Sequence, residues 1–415
     1  MPLIDLSLVD GVWNLKLSMI QTVGLAVITL FIGTWINKHA KILQRLCIPA
    51  PAVGALPFAF INAALSYFKI INITFDSQLQ TLLMLAFFTT IGLMASVKVL
   101  KKGGIGILLF WIVCTVWIIV QNGAGIIVAK LMGIEPIFGI LAGSVSMMGG
   151  LGTASAFGPH FEELLGVPGA STAAIAAATF GMVAGTLLGD PVGERILKMH
   201  KVKTPYDDPA AMDDEDITVI EDKVALGKNF SSSDLMTISM WLGLALALGT
   251  IVSHYLGILV GPLPIYIGSM IVAAIIRNFG DFTKMYKIND TALDAVSNVS
   301  LALFVTMAIN SLKLVQLIDL ALPLLAILVV QMILICIFAY LIFWIFQRTY
   351  TAVMLGAGAI GFGLGATPNA LVNMLSLASR HGPSPRAWLM VSLVGAFLID
   401  FTNAFLITFM AKLFA

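Results

Sequence analysis

Two glycine clusters stand 213 residues apart in this chain, each followed by hydroxyl or amide side chains. The first is Gly149-Gly150-Leu151-Gly152, followed by Thr153 and Ser155. The second is Gly361, Gly363 and Gly365, followed by Thr367, Pro368 and Asn369. Glycine admits positive φ and lets backbone approach a ligand closely. A helix that opens after such a turn presents unpaired N–H groups and the positive end of its dipole, which suit a carboxylate. The candidate substrate cradle is therefore Gly150, Gly152, Thr153, Ser155, Gly363, Gly365, Thr367 and Asn369, with Asn373 one turn beyond. Glycines also serve close helix packing in apolar proteins. Two copies at one offset favour a site.

Asp400 adds a charge. It lies in the middle of an apolar run with no basic residue within a turn. Placing a carboxylate at membrane depth costs about 2.5–3.5 kcal/mol on insertion scales, so such a residue is read as functional. It suits a substrate ammonium, Na+ or a proton. Na+ is a hard cation that prefers oxygens, and Thr89, Thr90, Asn122, Thr306 and Asn403 could supply them together with Asp400. Asp190 matches Asn403 at the 213 offset but lies nearer a segment end, before Pro191. Gln121 and Gln331 read as helix–helix hydrogen bonds. Three scattered cysteines and five histidines give neither a disulfide framework nor metal-ligand spacing. No nucleophilic triad, phosphate loop or dinucleotide fingerprint is evident, so the expectation is no enzyme, no cofactor and no metal but Na+.

These groups need a membrane scaffold. At 59% hydrophobic and 11% charged residues, the chain is far from the roughly 25% charged of soluble domains. Its formal charge of +1 offers no field for nucleic acid. Twelve apolar segments recur, at 17–36, 50–68, 79–97, 104–129, 136–158, 170–193, 235–256, 262–276, 295–312, 320–346, 351–378 and 387–411. The first is too long for a signal-peptide core and reads as a retained helix.

Suppose that 136–158 and 351–378 enter and leave on one side, the other ten cross, and the N-terminus lies outside. Of the 23 basic residues, only Lys16, Lys69, Lys130, Lys313 and Lys412 then stay outside, as the positive-inside rule asks. Each half, 1–197 and 235–415, has five crossings, so the second is inserted upside down. The expected fold is an all-α polytopic membrane protein of two inverted-topology repeats. Each repeat has five transmembrane helices and one re-entrant hairpin. A polar linker, 198–234, joins them on the cytoplasmic side, and both termini lie outside. The glycine tips can then meet near the midplane, where irregular backbone is tolerated only around protein or a wet cavity. Duplicated apolar halves with broken segments are the mark of a secondary transporter whose site lies at the breaks.

At the hairpins and the last span the chain resembles a known family. The matching stretches include Leu83–Leu93 (LMLAFFTTIGL), Leu141–Thr153 (LAGSVSMMGGLGT), Gly361–Pro368 (GFGLGATP) and Val394–Asp400 (VGAFLID). They resemble the bacterial glutamate:sodium symporter family over both halves. The resemblance implies Na+-coupled import of L-glutamate by elevator-type alternating access, with re-entrant GGxG loops. It also implies a homodimer in the bacterial inner (plasma) membrane. Family members carry histidine at the position of Leu151 and threonine at that of Asn369. The alternative is a cation-coupled symporter of di- or tricarboxylates or of another anionic amino acid. An ion channel would need a filter signature, and an intramembrane enzyme a reactive pair; neither is found.

Overall fold

The computed structural model describes residues 5–9, 12–98, 104–207, 230–260 and 264–414. Pro262, Lys101, Lys102 and the linker stretch 208–229 lie outside the described residues. Long apolar runs become helices, because lipid offers no partner for an unbonded backbone group. The first half builds α1 (Met19–His39), α2 (Lys41–Arg45), α3 (Ala50–Tyr67), α4 (Gln78–Met94) and α5 (Gly104–Leu131). It continues with α6 (Pro136–Ile140), a π turn at Leu141–Val145, α7 (Gly150–Leu165) and α8 (Ala170–His200). The second half builds α9 (Ser232–Val260), α10 (Tyr266–Thr283), α11 (Asp290–Asn310) and α12 (Ala321–Ile345). Then come α13 (Tyr350–Leu364), α14 (Thr367–His381), α15 (Pro385–Leu393), a π turn at Val394–Leu398, and α16 (Ile399–Phe414).

Among the described residues, seven helices are long and apolar enough to cross a membrane: α1, α3, α5, α8, α9, α11 and α12. Of the ten segments expected to cross, the other three form α4, α10 and the interrupted run α15–α16. Three short strands stand beside the helices, a feature the all-α expectation omits. β1 (Asp5–Val9) pairs antiparallel with β2 (Val12–Lys16), which pairs parallel with β3 (Ile71–Thr74).

Helix packing sorts the chain into two groups. Helices α1, α3, α4, α9, α10 and α11 pack chiefly among themselves, and α5–α8 form a second group with α12–α16. Each half gives its first three long helices to one group and the rest to the other. Inside the first group, Phe88 of α4 stacks on Tyr266 of α10 at 4.0 Å between ring centroids. Inside the second, Trp117 of α5 stacks on Phe338 of α12 at 4.3 Å. Close backbone approach tightens both. A Cβ on Gly33 of α1 would lie 2.1 Å from the Ala50 carbonyl oxygen of α3. A Cβ on Gly181 of α8 would lie 2.1 Å from the Leu364 oxygen at the end of α13. Small residues let helices meet this way where no hydrophobic force distinguishes protein from lipid.

Candidate functional site

Both glycine clusters break helices, and the breaks touch. Residues 146–149 form a turn between α6 and α7, and Gly365-Ala366 separate α13 from α14. Gly150 sits at φ +59°, and a Cβ there would lie 2.7 Å from the Gly365 oxygen. Only glycine fits at that contact, both by dihedral and by space.

A cavity of about 430 Å³ opens at this junction, between the two helix groups. One wall comes from Phe87 of α4, Asn298, Leu301, Ala302 and Val305 of α11, and Cys47, Pro49 and Pro51 at the start of α3. The other comes from both breaks, Met182 of α8, Gly395 and Asp400. Among the described residues, the lining holds one carboxylate, Asp400, and no lysine, arginine or histidine. Anything anionic that binds here must therefore be held by backbone N–H groups, amides, hydroxyls or an accompanying cation.

Buried amides hold the broken backbone in place. At the first break, Asn122 Oδ1 accepts from the Ser144 N–H at 2.8 Å, and Asn403 Nδ2 donates to the Ser144 carbonyl at 3.0 Å. These bonds support a chain that leaves helical geometry at Gly143 (φ −92°, ψ −129°). At the second break, Gln121 Nε2 donates to the Gly363 carbonyl at 2.7 Å, and Gln331 Nε2 donates to the Gln121 carbonyl at 2.7 Å. Thr367 Oγ1 donates at 2.7 Å to the Gly395 carbonyl, in the π turn that precedes Asp400. Buried backbone groups that lose their ladder partners need such replacements. A π turn inside an α-helix is itself a frequent companion of functional sites.

Comparison with known proteins matches the chain to transporters. Residues 15–383 match the family described as sodium/glutamate symporter. The chain belongs to the sodium/glutamate symporter family. It is 38% identical to the sodium/glutamate symporter of Escherichia coli strain K12 over 392 residues, covering 94% of this chain and 96% of that one. The Shigella flexneri protein of the same name is equally similar, at 38% over 392 residues with the same coverage. That of Haemophilus influenzae strain Rd is 34% identical over 394 residues, again covering 94% and 96%. With its long apolar helices, this family member is a multi-pass membrane protein.

Within this symporter-family chain, the cavity gathers only part of the residues chosen from sequence. Gly150, Gly152, Gly365, Thr367, Asn369 and Asp400 line it. Thr153 and Ser155 are buried in α7 away from the lining, and the Gly363 carbonyl faces Gln121. Asn373 lies one turn beyond Asn369, where its Nδ2 donates to the Gly185 carbonyl at 2.9 Å and joins α14 to α8. The residues chosen for Na+ are dispersed, apart from Asn122 and Asn403 at Ser144. The Thr89, Thr90 and Thr306 hydroxyls donate to Leu85, Phe87 and Ala302 carbonyls of their own helices. Asp190 is paired with Arg380 and accepts from Ser376 Oγ at 2.8 Å, so it stabilises the contact of α8 with α14.

Sequence reasoning missed Asn298. It is exposed, and it shares one helix face with Leu301, Ala302 and Val305, all on the wall opposite Asp400. The available signal was its position three, four and seven residues before those side chains. Thr306, next to Val305, sits instead on a buried face.

Proposed function

We propose that this protein is a sodium-coupled secondary active symporter that imports L-glutamate. The observation that carries the reading is the cavity where both helix breaks meet, with Asp400 as its one carboxylate among the described residues. Family membership over most of the chain supports it. The N–H groups of Gly150, Leu151 and Gly152 open α7 without intrahelical acceptors and suit one substrate carboxylate. The first turn of α14 faces the same cavity and suits the second carboxylate. Asp400 suits the α-ammonium group. A dicarboxylate without an amine would leave Asp400 uncompensated, which is why glutamate is preferred to the di- or tricarboxylate alternative.

The position of the cavity between two helix groups supports a reading of alternating access. The group α5–α8 with α12–α16 carries both breaks, and its sliding past the other group would move the site across the membrane as an elevator does. In this reading the broken segments are re-entrant hairpins of two inverted repeats. The termini lie outside, the 198–234 linker is cytoplasmic, and the protein sits as a homodimer in the inner membrane. Uptake of labelled L-glutamate into proteoliposomes under an inward Na+ gradient, against a choline control, tests the core of this reading. The expected result is Na+-dependent uptake, displaced by unlabelled amino-bearing acidic competitors. Displacement by succinate as good as by glutamate would instead select the dicarboxylate alternative.

A further inference from the structure

The second break places opposite helix ends side by side. Helix α13 ends at Leu364 and α14 begins at Thr367, so the negative end of one dipole lies two residues from the positive end of the next. The last turn of a helix leaves its carbonyls without intrahelical donors. One of these, Gly363, receives Gln121. The Gly361 carbonyl turns to the space above Gly365, where a Cβ would lie 3.1 Å from that oxygen and 3.2 Å from Asn369 Cγ. The backbone carbonyl and the Asn369 amide thus come together at Gly365 on the edge of the cavity, with Met182 Cα 3.0 Å from the same Cβ position.

The Asn369 amide is oriented by its neighbours. Its Nδ2 donates to the Met182 carbonyl at 2.9 Å and to Thr186 Oγ1 at 2.6 Å. Thr186 Oγ1 donates in turn to the Met182 carbonyl at 3.0 Å, so it must accept from Asn369. Two acceptors at the nitrogen fix which way the amide is turned. Its oxygen, on the opposite branch, has no hydrogen-bond partner among the described residues, although Asn369 is only 1% exposed and lines the cavity. A buried amide oxygen without a donor carries an uncompensated desolvation cost. A hard cation removes that cost, whereas an anion cannot.

Pro368 sharpens the assignment. It stands in the first turn of α14 and removes one N–H from any anion cradle there. Helix α7 has no such loss, since its first turn is Gly150-Leu151-Gly152. The first break is the better anion end, and the second break also offers oxygens. Half-helix carbonyl ends and unwound backbone are where coupling ions bind in transporters with broken helices.

We infer that the coupling Na+ binds at the second break, between the carbonyl end of α13 and the Asn369 side-chain oxygen, with Thr186 as the residue that positions this amide. The assignment rests on the cation coupling proposed above and moves Asn369 from substrate to cation. It also accounts for coupling: Na+ on the α13 end lies next to the carboxylate on the α14 or α7 end. Each ligand then raises the affinity for the other.

The test uses the full-length protein in proteoliposomes, with wild type, Asn369→Ala and Thr186→Val. Initial uptake of labelled L-glutamate is measured against Na+ at fixed glutamate, and against glutamate at saturating Na+. In parallel, the melting temperature of detergent-purified protein is followed as NaCl replaces choline chloride, without glutamate. Both variants should raise the Na+ concentration for half-maximal uptake by about tenfold, the usual cost of disturbing a cation ligand or its orienting partner. Glutamate KM at saturating Na+ should stay at the wild-type value, and the Na+-induced rise in melting temperature should shrink. Wild-type Na+ dependence in both variants, with a raised glutamate KM, would overturn the inference and return Asn369 to the substrate. If Asn369→Ala fails to fold, the isosteric Thr186→Val decides alone. Wild-type uptake that ignores Na+ would overturn the proposed function itself, and the cation site with it.

Discussion

The two helix breaks use the same backbone device and put their polar groups on different sides. At the first, Asn122 and Asn403 grip Ser144 behind the turn, and the cavity side is glycine backbone with the apolar Met148 and Leu151. At the second, Thr367 and Asn369 themselves line the cavity, and the carbonyl end of α13 stands beside them. Both interrupt a helix beside the same cavity, and they differ in the polar groups that they bring to it. One break offers N–H groups and the other offers oxygens as well, which a site for an anion and a cation together requires.

Asp400 stands apart from both breaks and faces both, so its loss should have the largest effect. Asp400→Asn keeps the shape of the side chain and removes the charge that would meet an ammonium. Removing one partner of a buried charge pair costs about 2–5 kcal/mol, so uptake should fall more than about thirtyfold. Flux assays in proteoliposomes at saturating Na+ check this. Near-normal uptake would mean that the substrate amine is held elsewhere, or that the substrate has none.

Gly150→Ala should come next. The new Cβ would meet the Gly365 oxygen at 2.7 Å, in a backbone conformation that L-residues adopt at a cost of about 1–2 kcal/mol. Glutamate KM should rise by about tenfold as the two tips are pushed apart. Gly152→Ala is the milder partner, because its Cβ would meet only the movable ends of Phe87 and Leu301, at 3.2 Å and 3.3 Å. Equal effects at the two glycines would show that the Gly150–Gly365 contact does not shape the site.

Thr367→Val probes the link from the second break to Asp400. The substitution removes the donor to the Gly395 carbonyl and leaves the π turn free to shift. A lost hydrogen bond of this kind is worth about 1 kcal/mol, so a fall in glutamate affinity of about fivefold is expected, with Na+ half-saturation less affected.

Much of this pattern was legible from sequence because it depends on residue type alone. Glycine clusters inside apolar runs mark breaks wherever they occur, and Asp400 marks itself by being charged in such a run. The expected breaks at 136–158 and 351–378 hold the turns at 146–149 and 365–366. Side-chain direction is a different matter. Thr89, Thr90 and Thr306 look like cation ligands in one dimension, yet each hydroxyl has a carbonyl one turn back on its own helix. Helical hydroxyls make that bond so readily that type and depth alone cannot separate ligand from satisfied residue. Asn298 was missed for the converse reason, since only the partition into two helix groups makes its face of α11 a wall. The partition depends on which helices pack, and hydropathy does not carry that information.

The smallest effects on transport are expected at the first break, and they separate its supports from its surface. Asn122→Leu removes the acceptor of the Ser144 N–H and leaves a buried donor without a partner, which costs about 1–3 kcal/mol. Asn403→Leu is gentler, because the Ser144 carbonyl keeps the Gly149 N–H at 3.0 Å. The thermal midpoint of the purified protein should therefore drop more for Asn122→Leu than for Asn403→Leu. Any change in glutamate uptake should track the amount of folded protein. The reverse pattern would be a raised Na+ half-saturation at either position with an unchanged midpoint. It would make Asn122 and Asn403 cation ligands, the role that the sequence alone suggests for them. The contrast between an anion-binding first break and a cation-binding second break would then fail, because both breaks would carry ions.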